Sequence, residues 1–227
     1  MKHGIYNIFK PSGPTSHDII NQVRKITGEK RVGHAGTLDP FAEGVLVVAV
    51  GREYTKKLGR FLKQDKTYQA KIKLGAVSDT YDRTGKVSRV SLATSYLPKL
   101  QTRGYPKRGS LITKKGIASA FKKFKGEIQQ TPPIFSAVKI KGKKAYELAR
   151  KGIVLKLKPR RVKIYSIKIL KYKWPYLKIE TRVSSGTYIR SLAHDLGQSL
   201  KTGGYLDKLI RTSVGKYKIE KSLKLKN

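Results

Sequence analysis

Gly33-His34-Ala35-Gly36-Thr37-Leu38-Asp39-Pro40 runs on through Phe41 and Ala42 into Glu43-Gly44-Val45-Leu46-Val47-Val48-Ala49-Val50. Two glycines and a proline in the first part constrain the backbone to a tight path. That path delivers one carboxylate, Asp39, just ahead of an apolar run of strand length. Residues 31–40 read as a polar, glycine-rich loop, and Glu43–Val50 reads as a buried strand. On spacing alone, an N-cap-like Asp in a turn and a catalytic Asp fit equally well. Charge context shifts the balance. The 227 residues hold 51 Lys+Arg against 14 Asp+Glu, a net charge of +37. A carboxylate on a surface suited to phosphate repels its own ligand, so one kept there needs a chemical reason, and nucleophilic catalysis supplies one.

Self-repulsion at this net charge opposes a compact state, and a polyanionic partner is the simplest reason to tolerate it. The excess is uneven. Residues 1–90 carry 17 basic and 8 acidic residues, net +9, whereas residues 91–227 carry 34 and 6, net +28. The second part therefore carries more of the expected nucleic-acid footprint. Apolar residues make up 38% and aromatics 9%, enough for a sizeable core. No apolar run is longer than Val45 to Val50, so a membrane span is not expected. No signal peptide is read at the start of the chain. Cysteine is absent, which excludes disulfides and thiolate metal sites and fits a cytoplasmic protein.

Working outward, residues 4–9 read as a short strand and residues 10–14 as a turn. Thr15-Ser16-His17-Asp18 resembles a capping box opening a helix whose apolar face is Ile19, Ile20, Val23 and Ile26, and Gly28 ends it. Tyr68, Ala70, Ile72 and Leu74 alternate with polar residues, the pattern of a half-buried strand. Residues 91–112 lose periodicity and hold Lys99, Arg103, Lys107 and Arg108 with no acidic residue, a basic loop. Helices are expected at 113–125, Ala145–Arg150 and 188–200. Strands at 162–170 and Tyr176–Val183 look antiparallel. Long strands with separated helices give an α+β class around a central mixed, mainly antiparallel sheet.

Three further features bear on chemistry. An ionised Asp39 in a closed pocket needs a cation, and Ser185-Gly186-Thr187-Tyr188-Ile189-Arg190 offers one at a helix start. An arginine there opposes the helix dipole, and an anionic partner would explain it, though an exposed Arg is commoner. Tyr68 is a core aromatic or a stacking platform for an unstacked base. His194-Asp195 lacks partner histidines and reads as helix surface. No zinc spacing or phosphate-binding glycine loop occurs, and no metal site is expected.

Taken together, these segments resemble the TruB family of tRNA pseudouridine synthases. Lys10-Pro11-x-Gly13-x-Thr15-Ser16 looks like the family's opening motif, and residues 33–46 look like its catalytic motif. Lys66-Thr67-Tyr68 matches the base-stacking strand, and residues 79–85 match the loop that follows. Residues 130–150 match an RNA-gripping insertion, Gly186-Thr187-Tyr188-Ile189-Arg190 a late active-site motif, and Leu206-x-x-Leu209-x-Arg211-Thr212 the closing strand. The motifs stand in family order along nearly the whole chain.

The resemblance implies a pseudouridine synthase fold over residues 1–214, with the insertion at about 125–155. Departing from many relatives, a basic tail is expected at 215–227 with no additional C-terminal RNA-binding domain. It implies isomerisation of uridine 55 in the tRNA T-loop, by base flipping and without metal or organic cofactor. Asp39 would be the catalytic carboxylate and nucleophile, its attack on uracil or ribose, or removal of a ribose proton, being left open by the sequence. Arg190 would be its partner, and Tyr68 the residue stacked on uracil. Tyr188 and Leu209 would wall the pocket, His34 would contact the extruded RNA, and Lys10 and Pro11 would support the catalytic loop. Partners would be tRNA alone, with no membrane and no guide RNA, and the enzyme would act as a monomer. Two rivals are an RNA-binding protein without catalysis and a guide-dependent relative acting on ribosomal RNA. The set Asp39, Tyr68 and Arg190 weighs against the first, and the missing extra domain against the second.

The basic segment yields a direct expectation. If residues 91–112 lie along tRNA phosphates, replacing Lys99, Arg103, Lys107 and Arg108 with Ser weakens binding to every tRNA alike. The slope of log affinity against log salt then becomes shallower by up to roughly 3 units. Binding measured across a salt series reads this, and an unchanged slope leaves the segment without that role.

Overall fold

The computed structural model describes residues 1–90, 112–136, 138–140, 142–150, 152–153 and 157–225. The basic segment 91–112, except Ile112, lies outside them. The chain divides into two compact units. The first is Met1–Ala70 with Glu180–Gly186 and Lys208–Asn227, and the second is Lys71–Ile179 with Thr187–Asp207.

In the first unit the chain forms β1 (Gly4–Lys10), α1 (Ser16–Thr27), β2 (Val32–Ala35), β3 (Glu43–Val50), α2 (Arg52–Thr55) and α3 (Leu58–Leu62). The capping box holds. The Thr15 hydroxyl accepts from the Asp18 amide, and the Thr15 amide donates to the Asp18 carboxylate. Gly28 closes α1 in the left-handed conformation at φ 68°. Ile19, Ile20 and Val23 bury against Ile8, Leu46, Val48 and Val50. Ile26, expected on the same stripe, is 47% exposed, because the apolar cluster beneath α1 ends at Val23. Part of the expected loop at 31–40 is the strand β2. It pairs antiparallel with β3 from Val32↔Val50 to Ala35↔Val47, burying Val32 and Ala35. Its polar His34 and its Gly33 conceal that pattern in the sequence.

The next elements are β4 (Lys66–Leu74), β5 (Ala76–Ser78), β6 (Val87–Arg89), α4 (Lys114–Lys122), β7 (Gly126–Gln130), β8 (Lys139–Ile140), β9 (Lys143–Lys144) and α5 (Ala145–Arg150). There follow β10 (Arg160–Lys173), β11 (Tyr176–Val183), α6 (Ile189–Ser199), β12 (Gly204–Val214) and β13 (Tyr217–Lys218). Among the described residues the main sheet has nine strands in the order β1-β3-β12-β4-β11-β10-β7, with β2 beside β3 and β13 beside β12. β4, β11 and β12 have residues in both units. The two-residue link Trp174-Pro175 makes β10 and β11 an antiparallel hairpin, longer than the sequence pattern indicates. β12 runs parallel to β3. The structure is thus α+β with a mixed, mainly antiparallel sheet.

β4 shows the expected alternation without interruption, every second residue from Lys66 to Leu74 being buried. In the second unit, Ile189, Leu192, Ala193 and Leu196 give α6 its buried face. Gly197 lets that helix lie against the backbone of Gly203 and Gly204. Among the described residues no helix is long and apolar enough to cross a membrane.

The parallel pairing of β3 and β12 depends on Gly44. Its φ is 115°, and a Cβ there would run into the carbonyl oxygen and amide nitrogen of Arg211. Gly44→Ala should destabilise the fold by about 2–4 kcal/mol. Urea unfolding reads this as a lower midpoint at unchanged slope. A midpoint equal to wild type would contradict the close approach.

Candidate active site

Residues 36–42 form the turn that carries Asp39, and the first unit grips this turn from three sides. Lys10, the last residue of β1, is fully buried. Its ammonium donates to the carbonyls of Pro11 at 2.9 Å, Pro40 at 3.2 Å and Ala42 at 2.7 Å. Ser16, the first residue of α1, brackets Leu38: its hydroxyl donates to the Leu38 carbonyl at 3.0 Å and accepts from the Leu38 amide at 2.9 Å. Arg211 on β12, 1% exposed, donates to the carbonyls of Val45 at 2.7 Å and Gly36 at 3.0 Å.

The turn also closes on itself and on residues 12–13. The Ala42 amide donates to the Asp39 carbonyl, the Gly13 amide to the Pro40 carbonyl, and the Ser12 hydroxyl to the Phe41 carbonyl. Gly36 takes φ 91°, a conformation a side chain would strain. Leu38 is buried and Asp39 half-buried.

The electrostatics of this unit centre on cations held inside it. Burial pulls the Lys10 ammonium down to about 8, the Asp39 carboxylate pulls it back up, and Arg211 lowers it further. Asp39 is therefore the strongest single charge acting on Lys10. Lys66, at the start of β4, also falls to about 8, through burial and then Arg211. It donates to the carbonyls of Leu62 and Gln64, closing the end of α3. Tyr68 lies two residues along β4 on the same buried side and is 8% exposed. Leu209 on β12 is 6% exposed. His34 on β2 is held below the usual histidine range by burial, then by Arg211, and its Nδ1 has no hydrogen-bond partner among the described residues. Pro11 is exposed at the lip of the turn, its carbonyl on Lys10.

In the second unit, Arg190 sits in the first turn of α6 and is 7% exposed. Its guanidinium donates to the carbonyls of Thr80 at 3.2 Å and Phe135 at 2.9 Å, and lies 3.4 Å from the Asp82 carboxylate. An anionic neighbour thus accounts for an arginine at this helix start. Asp82 itself is 3% exposed and accepts from the Thr80 hydroxyl and from the amide and hydroxyl of Thr84. Tyr188, the N-cap of α6, is half-buried. Gln130 fixes its backbone by accepting from its amide at 2.8 Å and donating to its carbonyl at 3.1 Å. Its side chain packs on Val138, Ala145 and Leu157.

Lys10, Pro11, His34, Asp39, Tyr68 and Leu209 thus belong to the first unit, Tyr188 and Arg190 to the second. Ser16, Lys66, Asp82 and Arg211 stood in the motifs of the sequence without an assigned task. For Ser16, Lys66 and Arg211 the one available signal was a charged or hydroxyl residue within an expected strand or helix. His194 and Asp195, read as helix surface, are half-buried instead. Burial lowers the His194 imidazole and raises the Asp195 carboxyl to about 6.

Residues 24–189 match the family model of the TruB family pseudouridylate synthase, N terminal domain. The tRNA pseudouridine synthase B of Clostridium acetobutylicum is 43% identical over 224 residues, covering 99% of this chain and 71% of that protein. Its counterpart in Protochlamydia amoebophila is 44% identical over 220 residues, 97% of this chain and 77% of that protein. A chain in the crystal structure of a Cbf5-Nop10-Gar1 complex superposes with a TM-score of 0.71 at 30% identity. The match covers 98% of this chain and 52% of that one, so this chain spans about half its length. These matches define a pseudouridine synthase, an enzyme that isomerises uridine. The chain belongs to the TruB family of pseudouridylate synthases.

Lys10 offers a test of the anchored turn. Lys10→Met leaves the Pro11 and Ala42 carbonyls without its ammonium and should destabilise the fold by about 2–4 kcal/mol. The deficit should depend on pH. The folded Lys10 ionises near 8 and the unfolded one near 10.5. Between those values the unfolded chain binds more protons, so wild-type stability gains from this group as pH rises, whereas the Met variant has no such gain. The wild-type advantage in urea unfolding should therefore widen from about pH 8 to 10. A constant difference would mean that the ammonium titrates as an ordinary surface lysine.

Proposed function

We propose that the enzyme converts uridine 55 in the T-loop of tRNA to pseudouridine, acting on tRNA alone as a monomer without a guide RNA. The observation that carries this reading is the anchored turn. A carboxylate is presented on a backbone pinned by Lys10, Ser16 and Arg211 in a chain of net charge +37. A pure RNA-binding surface has no use for a fixed negative charge, whereas nucleophilic catalysis requires one in a set position. The tRNA substrate of the similar synthases B supports the choice of RNA.

In this reading the T-loop opens and the target uridine flips into the site. Tyr68 stacks on the uracil. Tyr188 and Leu209 flank it, and His34 contacts the extruded strand. Pro11 supports the turn with Lys10. Arg190 pairs with Asp39 and keeps it ionised as Asp39 takes part in breaking the glycosidic C–N bond. The uracil then turns and its C5 bonds to the ribose carbon, while the proton displaced from C5 leaves and N1 gains one. Substrate and product are isomers, so no external oxidant or group donor enters.

One unmodified tRNA transcript with the protein alone tests the reading. Pseudouridine at position 55 is expected, and product elsewhere, or none, contradicts it. On the same transcript Asp39→Asn should bind as wild type and lose turnover. A residual rate above about a hundredth of wild type would contradict a nucleophilic Asp39. Arg190→Lys keeps the charge and loses the planar fork, so its rate should fall strongly with binding little changed. Lost affinity at an unchanged rate would instead make Arg190 a phosphate contact.

A further inference from the structure

The contacts of Arg190 within the second unit depend on an unusual turn. Its guanidinium meets the Thr80 carbonyl and the Asp82 carboxylate, the neighbours on either side of Tyr81. Tyr81 has φ 63°, a left-handed conformation that costs a bulky residue without special support. The support is visible. The Tyr81 amide donates to Ser78, its carbonyl accepts from Leu206, and Arg83 donates back to Leu206. Its ring stacks on His194, with centroids 3.9 Å apart and planes 13° from parallel. His194 lies four residues after Arg190 in α6, hence on the same helix face.

The choice of histidine is informative. Its Nδ1 is buried with no hydrogen-bond partner among the described residues, a cost that an apolar side chain would avoid. Burial disfavours the charged imidazole, and the near-parallel rings make the contact a stack of two flat faces. One helix face therefore carries both the guanidinium and the ring that holds the turn against it.

We propose that the Tyr81–His194 stack is a positioning device for Arg190, locking the left-handed turn that offers Thr80 and Asp82 to the guanidinium. The proposal rests on the reading of Arg190 as the partner of Asp39. Neither Tyr81 nor His194 touches the reacting atoms. Both act through Arg190.

The test uses the full chain and an unmodified tRNA transcript, with kcat and KM measured for four variants and urea unfolding as a check on folding. Tyr81→Asn removes the ring but keeps a residue that tolerates the left-handed region. His194→Ala removes the other ring, and His194→Phe restores a flat neutral one. Tyr81→Asn and His194→Ala should lower kcat by about tenfold or more, with KM within about twofold of wild type. His194→Phe should recover most of that loss. The proposal is overturned if the Asn and Ala variants keep wild-type kcat, if their loss is confined to KM, or if His194→Phe is as impaired as His194→Ala. Arg190→Lys separates the two levels. If it is inactive while His194→Ala is fully active, the stack alone is refuted; if it keeps full turnover, the reading beneath the proposal falls and the proposal with it.

Discussion

The buried ammonium of Lys10 is the interaction on which the turn carrying Asp39 depends. Taking a lysine out of water costs several kcal/mol, and here the return is three backbone carbonyls, those of Pro11, Pro40 and Ala42. Two of the three belong to the turn that bears Asp39. A hydrophobic residue could fill the volume of Lys10 but could not hold those carbonyls. The Asp39 carboxylate opposes the effect of burial on this ammonium. One side chain thereby shapes the turn and is coupled to the charge that the turn presents.

Arg211 and Arg190 use the same device. Arg211 holds the carbonyls of Gly36 and Val45 from β12, and Arg190 holds those of Thr80 and Phe135 from α6. In a chain of net charge +37 the buried cations are spent on backbone oxygens, leaving most surface cations available to phosphate. A small cluster of Val138, Ala145 and Leu157 packs on Tyr188. Phe135 and this cluster are therefore tied to the start of α6 through Arg190 and Tyr188.

Much of this was legible in the sequence because the physics is local. The capping box of α1, the alternation of β4 and the apolar run of β3 each follow from neighbouring residues. Asp39 stood out because carboxylates are scarce, 14 acidic residues among 227, and because glycine and proline mark its turn. β2 was hidden because its pairing partner, β3, begins eight residues beyond its end and two of its four residues, Gly33 and His34, give no apolar signal. The tasks of Ser16, Lys66, Asp82 and Arg211 were equally hidden. Ser16, Lys66 and Arg211 bond backbone groups, which any residue supplies, and Arg211 reaches Gly36, 175 residues away in the chain. Asp82 bonds Thr80, Thr84 and the distant Arg190. His194 misled for a related reason: the Tyr81 ring that covers it arrives from a distant loop, while its own helix offers no hint of burial.

The central claim is that the turn carrying Asp39 is already rigid before RNA arrives. Amide hydrogen exchange on the free protein measures this residue by residue. The Leu38 amide is held by Ser16, and the Ala42 amide by Asp39. Both should exchange at rates close to those of the β3 core and should not open separately from it. In Lys10→Met their protection should fall further than that of β3. Exchange of Leu38 and Ala42 at open-loop rates in the wild-type protein would contradict the account, because the carboxylate would then be positioned only after tRNA binds.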